Sequence, residues 1–284
     1  MRWTPGSRGN IEDLRGRSGM GMRMGAPIGI GGLLIMLLLS WVTGVDFLSL
    51  LGGGAPQSEY VGTSGRVDAS PEEEKLVDMV DNVMEDAQSV WSDLLDGRYQ
   101  ETKAVLFRDA INSACGFAQS ATGPFYCPAD RKVYLDLGFF DELHRRFGAP
   151  GDFAQAYVLA HEVGHHVQTV LGIESQVRSR QAASPSERNA LSVRMELQAD
   201  CFAGIWGHAA NKRGRAAEGR VELDPDDFRE GINAAAAIGD DRIQRQTTGH
   251  VAPDRFTHGS SEQRVEWFRR GFESGNPQAC NTFQ

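Results

Sequence analysis

The stretch AYVLAHEVGHHVQTVLG, Ala156 to Gly172, places His161, Glu162, His165 and His166 in an otherwise apolar segment. A buried helix carries that much polarity only when the polar groups have partners. His161-Glu162-Val163-Gly164-His165 has the H-E-x-x-H spacing. On an α-helix, residues four apart share a face one turn apart, so the two imidazoles can bind one tetrahedral zinc ion. Glu162 is rotated by roughly 100° from His161, which lets it flank a metal without ligating it. A carboxylate in that position can take a proton from a zinc-activated water. His166 is a further 100° or so round the helix from His165 and is expected to pack or hydrogen-bond rather than ligate.

A catalytic zinc takes three protein ligands and keeps a fourth position open. The positions after His165 read HVQTVLG, so no third histidine follows at the spacing of the extended motif. The third ligand must come from another element. RMELQADCFAGIW, Arg194 to Trp206, offers Glu196 and, one turn on, Asp200. One arrangement puts Glu196 on zinc and lets Asp200 orient a ligand histidine through its other N–H. The reverse assignment, Asp200 on zinc, fits the same spacing. Zn2+ is the expected cofactor in either case.

A donor for a developing oxyanion is also needed. His258, in FTHGSSEQR, is chosen over His250, in TTGHVAP, with Tyr157 and Arg264 as competitors. Ser260 and Gln263 form an S-x-x-Q capping box, so a helix is expected to start just after His258. The positive end of its dipole would favour a neutral imidazole there.

Around these residues the pattern predicts a helix-rich α+β fold. Ser70-Pro71-Glu72-Glu73 marks a helix start, followed by an apolar stripe at Leu76, Val80, Val83, Ala87, Val90 and Leu94. Val133–Leu137 alternates as a strand, which could either sit inside a sheet or pair with an extended peptide at an edge. Phe139 to Phe147 and the segments from Asp152 to Leu171, Glu187 to Asn211, Asp226 to Gln246 and Ser261 to Phe272 read as helices.

The chain has 284 residues and a net charge of −9, which argues against a nucleic-acid partner. Its first 23 residues carry Arg2, Arg8, Arg15, Arg17 and Arg23 against Glu12 and Asp13. Met24 to Val45 has no charged residue and is centred on IGIGGLLIMLLLSWV. About 20 apolar residues match a bilayer's hydrocarbon thickness. An uncleaved anchor is favoured over a signal peptide because the run is long and its basic leader extended. The expected organisation is a cytoplasmic basic tail (1–23), a transmembrane anchor (24–46), a Gly/Ser/Pro-rich linker (47–70) and a catalytic domain (71–284) outside the cytoplasm. All four cysteines lie beyond the span. A local bond between Cys115 and Cys127 is expected, leaving Cys201 with Cys280.

HEVGHH followed by ELQADCFAG resembles the gluzincin metallopeptidases. More closely, the chain resembles the bacterial putative neutral zinc metallopeptidase family. The likeness runs from MRW through GPFYCPADRKVYLDLGFF and the two motif helices to FTHGSSEQRVEWFRRGF. It implies a zincin-like domain, zinc ligands at His161, His165 and Glu196, Glu162 as general base, and a protein or peptide substrate. It implies neither the physiological substrate nor the oligomeric state. The competing class is a membrane-tethered binding module or chaperone with a structural zinc, for which Glu162 would have no use.

Overall fold

The computed structural model describes residues 1–16, 67–120 and 123–283. The apolar run 24–46 and most of the linker lie outside them. Among the described residues no helix is long and apolar enough to cross a membrane. All described residues belong to one compact unit formed by Met1–Gly16 together with the chain from Arg66 onward.

The fold is α+β and helix-rich, as the pattern implied. Helix α1, Pro71–Leu94, begins with Ser70 Oγ accepting from the Glu73 N–H, as the capping signal required. Val80, Val83, Ala87 and Val90 are buried as the stripe predicts. Val77, Met79, Met84 and Trp91 are buried too, while Leu94 is exposed. The helix is covered over more of its circumference than a surface helix would be.

A four-stranded sheet follows, in the order β1-β2-β6-β5: β1 is Ile11–Asp13, β2 Ala104–Phe107, β5 Phe125–Cys127 and β6 Lys132–Asp136. β1 and β6 run parallel to β2, and β5 antiparallel to β6. A separate hairpin joins β3, Ala110–Ser113, to β4, Gly116–Gln119. The strand expected at Val133–Leu137 is therefore β6. It lies between β2 and β5, so its backbone is not free for edge pairing; that edge belongs to β5.

The boundary expected at residue 23 lies outside the described residues, while residues 1–16 pack with the domain. Ile11 pairs with Ala104, Glu12 with Val105 and Asp13 with Leu106, so this segment is a strand of the domain rather than a tail apart from it. A sequence pattern could not show this, because three residues are too few to display alternation.

Helix α2, Gly138–Arg145, leads to α3, Asp152–Val170, which carries the histidine motif. α4 (Ile173–Ala183) connects to α5 (Arg188–Ala210), which carries Glu196 and Asp200. The helix expected over 226–246 is two: α6 (Asp227–Ala237) and α7 (Asp240–Thr248), broken at Gly239. A Cβ at Gly239 would lie 2.4 Å from the Ser261 nitrogen, so the chain is pressed there against the start of α8, Ser261–Ser274. Helices α5 and α8 cross at backbone contact: a Cβ on Gly271 would lie 1.9 Å from the Cys201 carbonyl oxygen. Both expected disulfides form, Cys115–Cys127 and Cys201–Cys280. The second ties α5 to the chain end.

Candidate metal centre

Helices α3 and α5 face each other across the motif. His161 and His165 lie one turn apart, with ring centroids 4.8 Å apart and the rings edge to face. Glu196 of α5 lies between them: Oε2 is 3.2 Å from His161 Nε2 and Oε1 is 3.5 Å from His165 Nε2. One donor atom from each residue lies within 4.8 Å of the others. Ligand bonds of 2.0–2.2 Å in a tetrahedral zinc site imply donor–donor separations of about 3.3 Å. Two imidazoles and a carboxylate at these distances fit zinc in both type and spacing.

The outer nitrogen of each histidine is also engaged. His161 Nδ1 is 2.8 Å from Asp200 Oδ1, and His165 Nδ1 is 2.9 Å from Gln168 Oε1. Both bonds hold Nε2 towards Glu196. Gln168 is fixed in turn by donating to the Met195 carbonyl and to Gln198. Asp200 is fully buried. It accepts from the Tyr157 hydroxyl and from Arg264 through two nitrogens, each at 2.8 Å. Burial opposes its charge, yet Arg264 and His161 hold it below the usual carboxylate range. Asp200 thus faces away from the Nε2 cluster, and Glu196 is the carboxylate that meets it.

The carboxylates of Glu196 and Asp200 draw positive charge to the histidines, and a proton competes with a metal ion for them. Burial by itself would lower the pKa of His161, but Asp200 and Glu196 raise it to about 10. Burial likewise opposes ionisation of Glu196, which the two histidines nevertheless hold well below its ordinary value.

His166 points elsewhere. It is completely buried, with Nδ1 3.0 Å from the Tyr126 hydroxyl and Nε2 bonded to the Gln100 carbonyl. It joins α3 to β5 rather than to the metal cluster.

The cluster opens into a cavity of about 630 Å³ lined by Glu162, His161, His165, Glu196, His258 and Arg264. Phe125 and Tyr126 of the β5 edge, with Phe139, Phe147, Val158, Ile238 and Ile243, form its apolar wall. His258 stands just before α8, whose Ser260–Gln263 capping box is present as expected. The direction in which its pKa is pushed differs from the expectation. Asp240 Oδ1 is 3.1 Å from His258 Nδ1, while Oδ2 accepts from the backbone N–H groups of Thr257, His258 and Gly259. The Asp240 hydrogen bond raises the His258 pKa above its ordinary value, outweighing burial. A carboxylate in direct contact overrides a helix dipole, whose end carries only about half a charge.

Asp240, Gln168 and the pairing of Arg264 with Asp200 were not read from the sequence. Gln168 stands at the helical i,i+3 spacing from His165, the signal that could have found it; Asp240 and Arg264 stand at no motif spacing from the residues they serve. DDR at the start of a helix, at 240–242, was the one faint local signal for Asp240.

The chain matches the family described as Putative neutral zinc metallopeptidase over residues 1–283. YpfJ of Escherichia coli K12, described only as an uncharacterized protein, is 47% identical over all of this chain and 99% of its own length. The uncharacterized protein Rv2575 of Mycobacterium tuberculosis H37Rv is 45% identical over 69% of this chain and 66% of its own. No solved structure matches. On a match that spans nearly every residue, including both motif helices, this chain belongs to the family described as Putative neutral zinc metallopeptidase.

Proposed function

We propose that the protein is a zinc-dependent endopeptidase that cleaves extended peptide segments laid along β5. The carrying observation is the convergence of His161, His165 and Glu196 on one point, with Glu162 beside them, in a cavity bordered by a sheet edge. His161, His165 and Glu196 would hold the zinc, with Asp200 and Gln168 orienting the histidines. A zinc ion held there would supply a Lewis acid for the scissile carbonyl and a lowered pKa for the attacking water. Glu162 accepts the water's proton and returns it to the leaving amine. His258, oriented by Asp240, donates a hydrogen bond to the developing oxyanion. The β5 backbone pairs with the substrate, and the aromatic wall receives its side chains.

The apolar segment 24–46 is read as a membrane attachment. The two disulfides favour a location outside the reducing cytoplasm.

The test is hydrolysis of casein by the purified full-length chain. Cleavage should be abolished by a chelator and by Glu162→Gln, with the Glu162→Gln protein still containing one zinc. A Glu162→Gln protein that cleaves normally would refute the reading. So would a zinc-loaded wild type that cleaves no unfolded protein, and that outcome would favour a structural-zinc binding module.

A further inference from the structure

Three of the five arginines that give the N-terminal segment its positive charge are consumed by the fold. Arg15 is 5% exposed and binds Asp13, Glu73 and Glu74, the last two in the first turn of α1. Arg8 binds Glu74 and Asp78. Arg2 pairs with Glu222 and Asp224, and its backbone exchanges two hydrogen bonds with Glu222. Asp81 of α1 accepts from the backbone N–H groups of Arg8 and Asn10. Beyond the β1–β2 ladder itself, the Ala104 N–H donates to Asn10 and the Leu14 N–H to Leu106. Glu12 reaches past β2 to Lys132 of β6, 2.5 Å away.

The positive-inside rule counts such arginines as a retention signal for the cytoplasmic face. Here Arg8 and Arg15 neutralise a row of carboxylates on α1, and Arg2 pairs with Glu222 and Asp224. A single crossing between residues 16 and 71 would put some 30 Å of hydrocarbon between the arm and the domain. It would also leave the β2 edge unpaired and Glu73, Glu74, Asp78 and Asp81 without these partners.

We propose that residues 1–16 are an intrinsic strand and basic clasp of the same chain's peptidase domain. Both ends of the 17–65 segment then lie on one side of the membrane, with no net crossing between them. This replaces the arrangement with the N-terminus inside and the domain outside, and it stands whether or not the cavity cleaves peptides.

Two experiments on the full-length chain test it. Ser7 and Ser186 are both exposed, and the native cysteines are all paired. Ser7→Cys and Ser186→Cys, made separately, are treated with a membrane-impermeant maleimide in intact and in lysed cells. Both should label in the same condition. One labelling in intact cells and the other only after lysis overturns the proposal. Glu12→Cys with Lys132→Cys, treated in membranes with a short bis-maleimide, should yield an intrachain crosslinked peptide that neither single variant gives. No crosslink, or one joining two chains, overturns the intrachain clasp.

Discussion

Gly164 of the histidine motif lies against the backbone of Ala199: a Cβ there would be 3.0 Å from the Ala199 carbonyl oxygen and 3.1 Å from its Cα. Ala199 stands between Glu196 and Asp200 on α5, so this contact sets how near α5 comes to the two histidines. Adding bulk at Gly164 forces the helices apart, at a cost of about 1–3 kcal/mol for overpacking. Gly164→Val should therefore lower zinc affinity by tenfold or more, as well as the melting temperature. Titration against a chromophoric chelator measures the first effect, and unchanged affinity would show that the contact does not set the site.

Glu196→Gln removes a charged donor from the cluster and should strip zinc from the purified protein. Asp200→Asn should keep zinc with affinity reduced by about 10–100-fold, as loss of an orienting partner does. It should also destabilise the fold by about 3–5 kcal/mol, because Arg264 is left buried without its counter-charge. Metal analysis and denaturant unfolding of both variants decide this. Zinc lost in Asp200→Asn and kept in Glu196→Gln would reverse the two roles.

His258→Ala should retain zinc and substrate KM but lose about a hundredfold or more in kcat, or roughly 3 kcal/mol. Near-normal kcat would remove His258 from the mechanism, and Arg264, which lines the cavity, would be tested next.

The Asp240 pair gives a pH dependence with a definite sign. Asp240 raises the His258 pKa, so the charged pair is complete below the ordinary histidine pKa and is lost as pH rises through the raised value. If the imidazolium is the stronger donor, kcat falls along that alkaline limb. Asp240→Asn should move the limb to lower pH. A pH–kcat profile of the two proteins reads the shift, and a limb that stays in place would separate it from His258.

The two disulfides should differ in what they protect. Cys201–Cys280 closes a separation of 79 residues and Cys115–Cys127 one of 12. On a chain-entropy account, losing the longer closure costs about 4–5 kcal/mol and the shorter about 3. Cys127 also lies in β5, so Cys115→Ser with Cys127→Ser should raise KM more than its stability loss explains. Denaturant unfolding and steady-state kinetics on each double variant measure both effects.

The sequence by itself determined what repeats within one element or punctuates it. The His161–His165 spacing, the Glu196–Asp200 spacing, both serine caps and the α1 stripe depend on the 3.6-residue turn alone. That turn is already present in the order of residues. The disulfide pairing was legible because a turn-rich stretch of this length brings Cys115 near Cys127 and leaves only one other pair. Tertiary structure decided everything that joins elements distant in sequence. It chose Glu196 over Asp200 for the Nε2 cluster, because Arg264, 64 residues further on, claims Asp200. It gave His258 a carboxylate 18 positions upstream, which pushes its pKa up where the local helix end alone would push it down. It put β5 rather than β6 at the sheet edge, since strand order depends on which neighbours arrive. And it drew the first 16 residues onto the domain, with Ile11–Asp13 in the sheet, because a run of arginines reads the same in sequence whether it faces lipid headgroups or the carboxylates of α1.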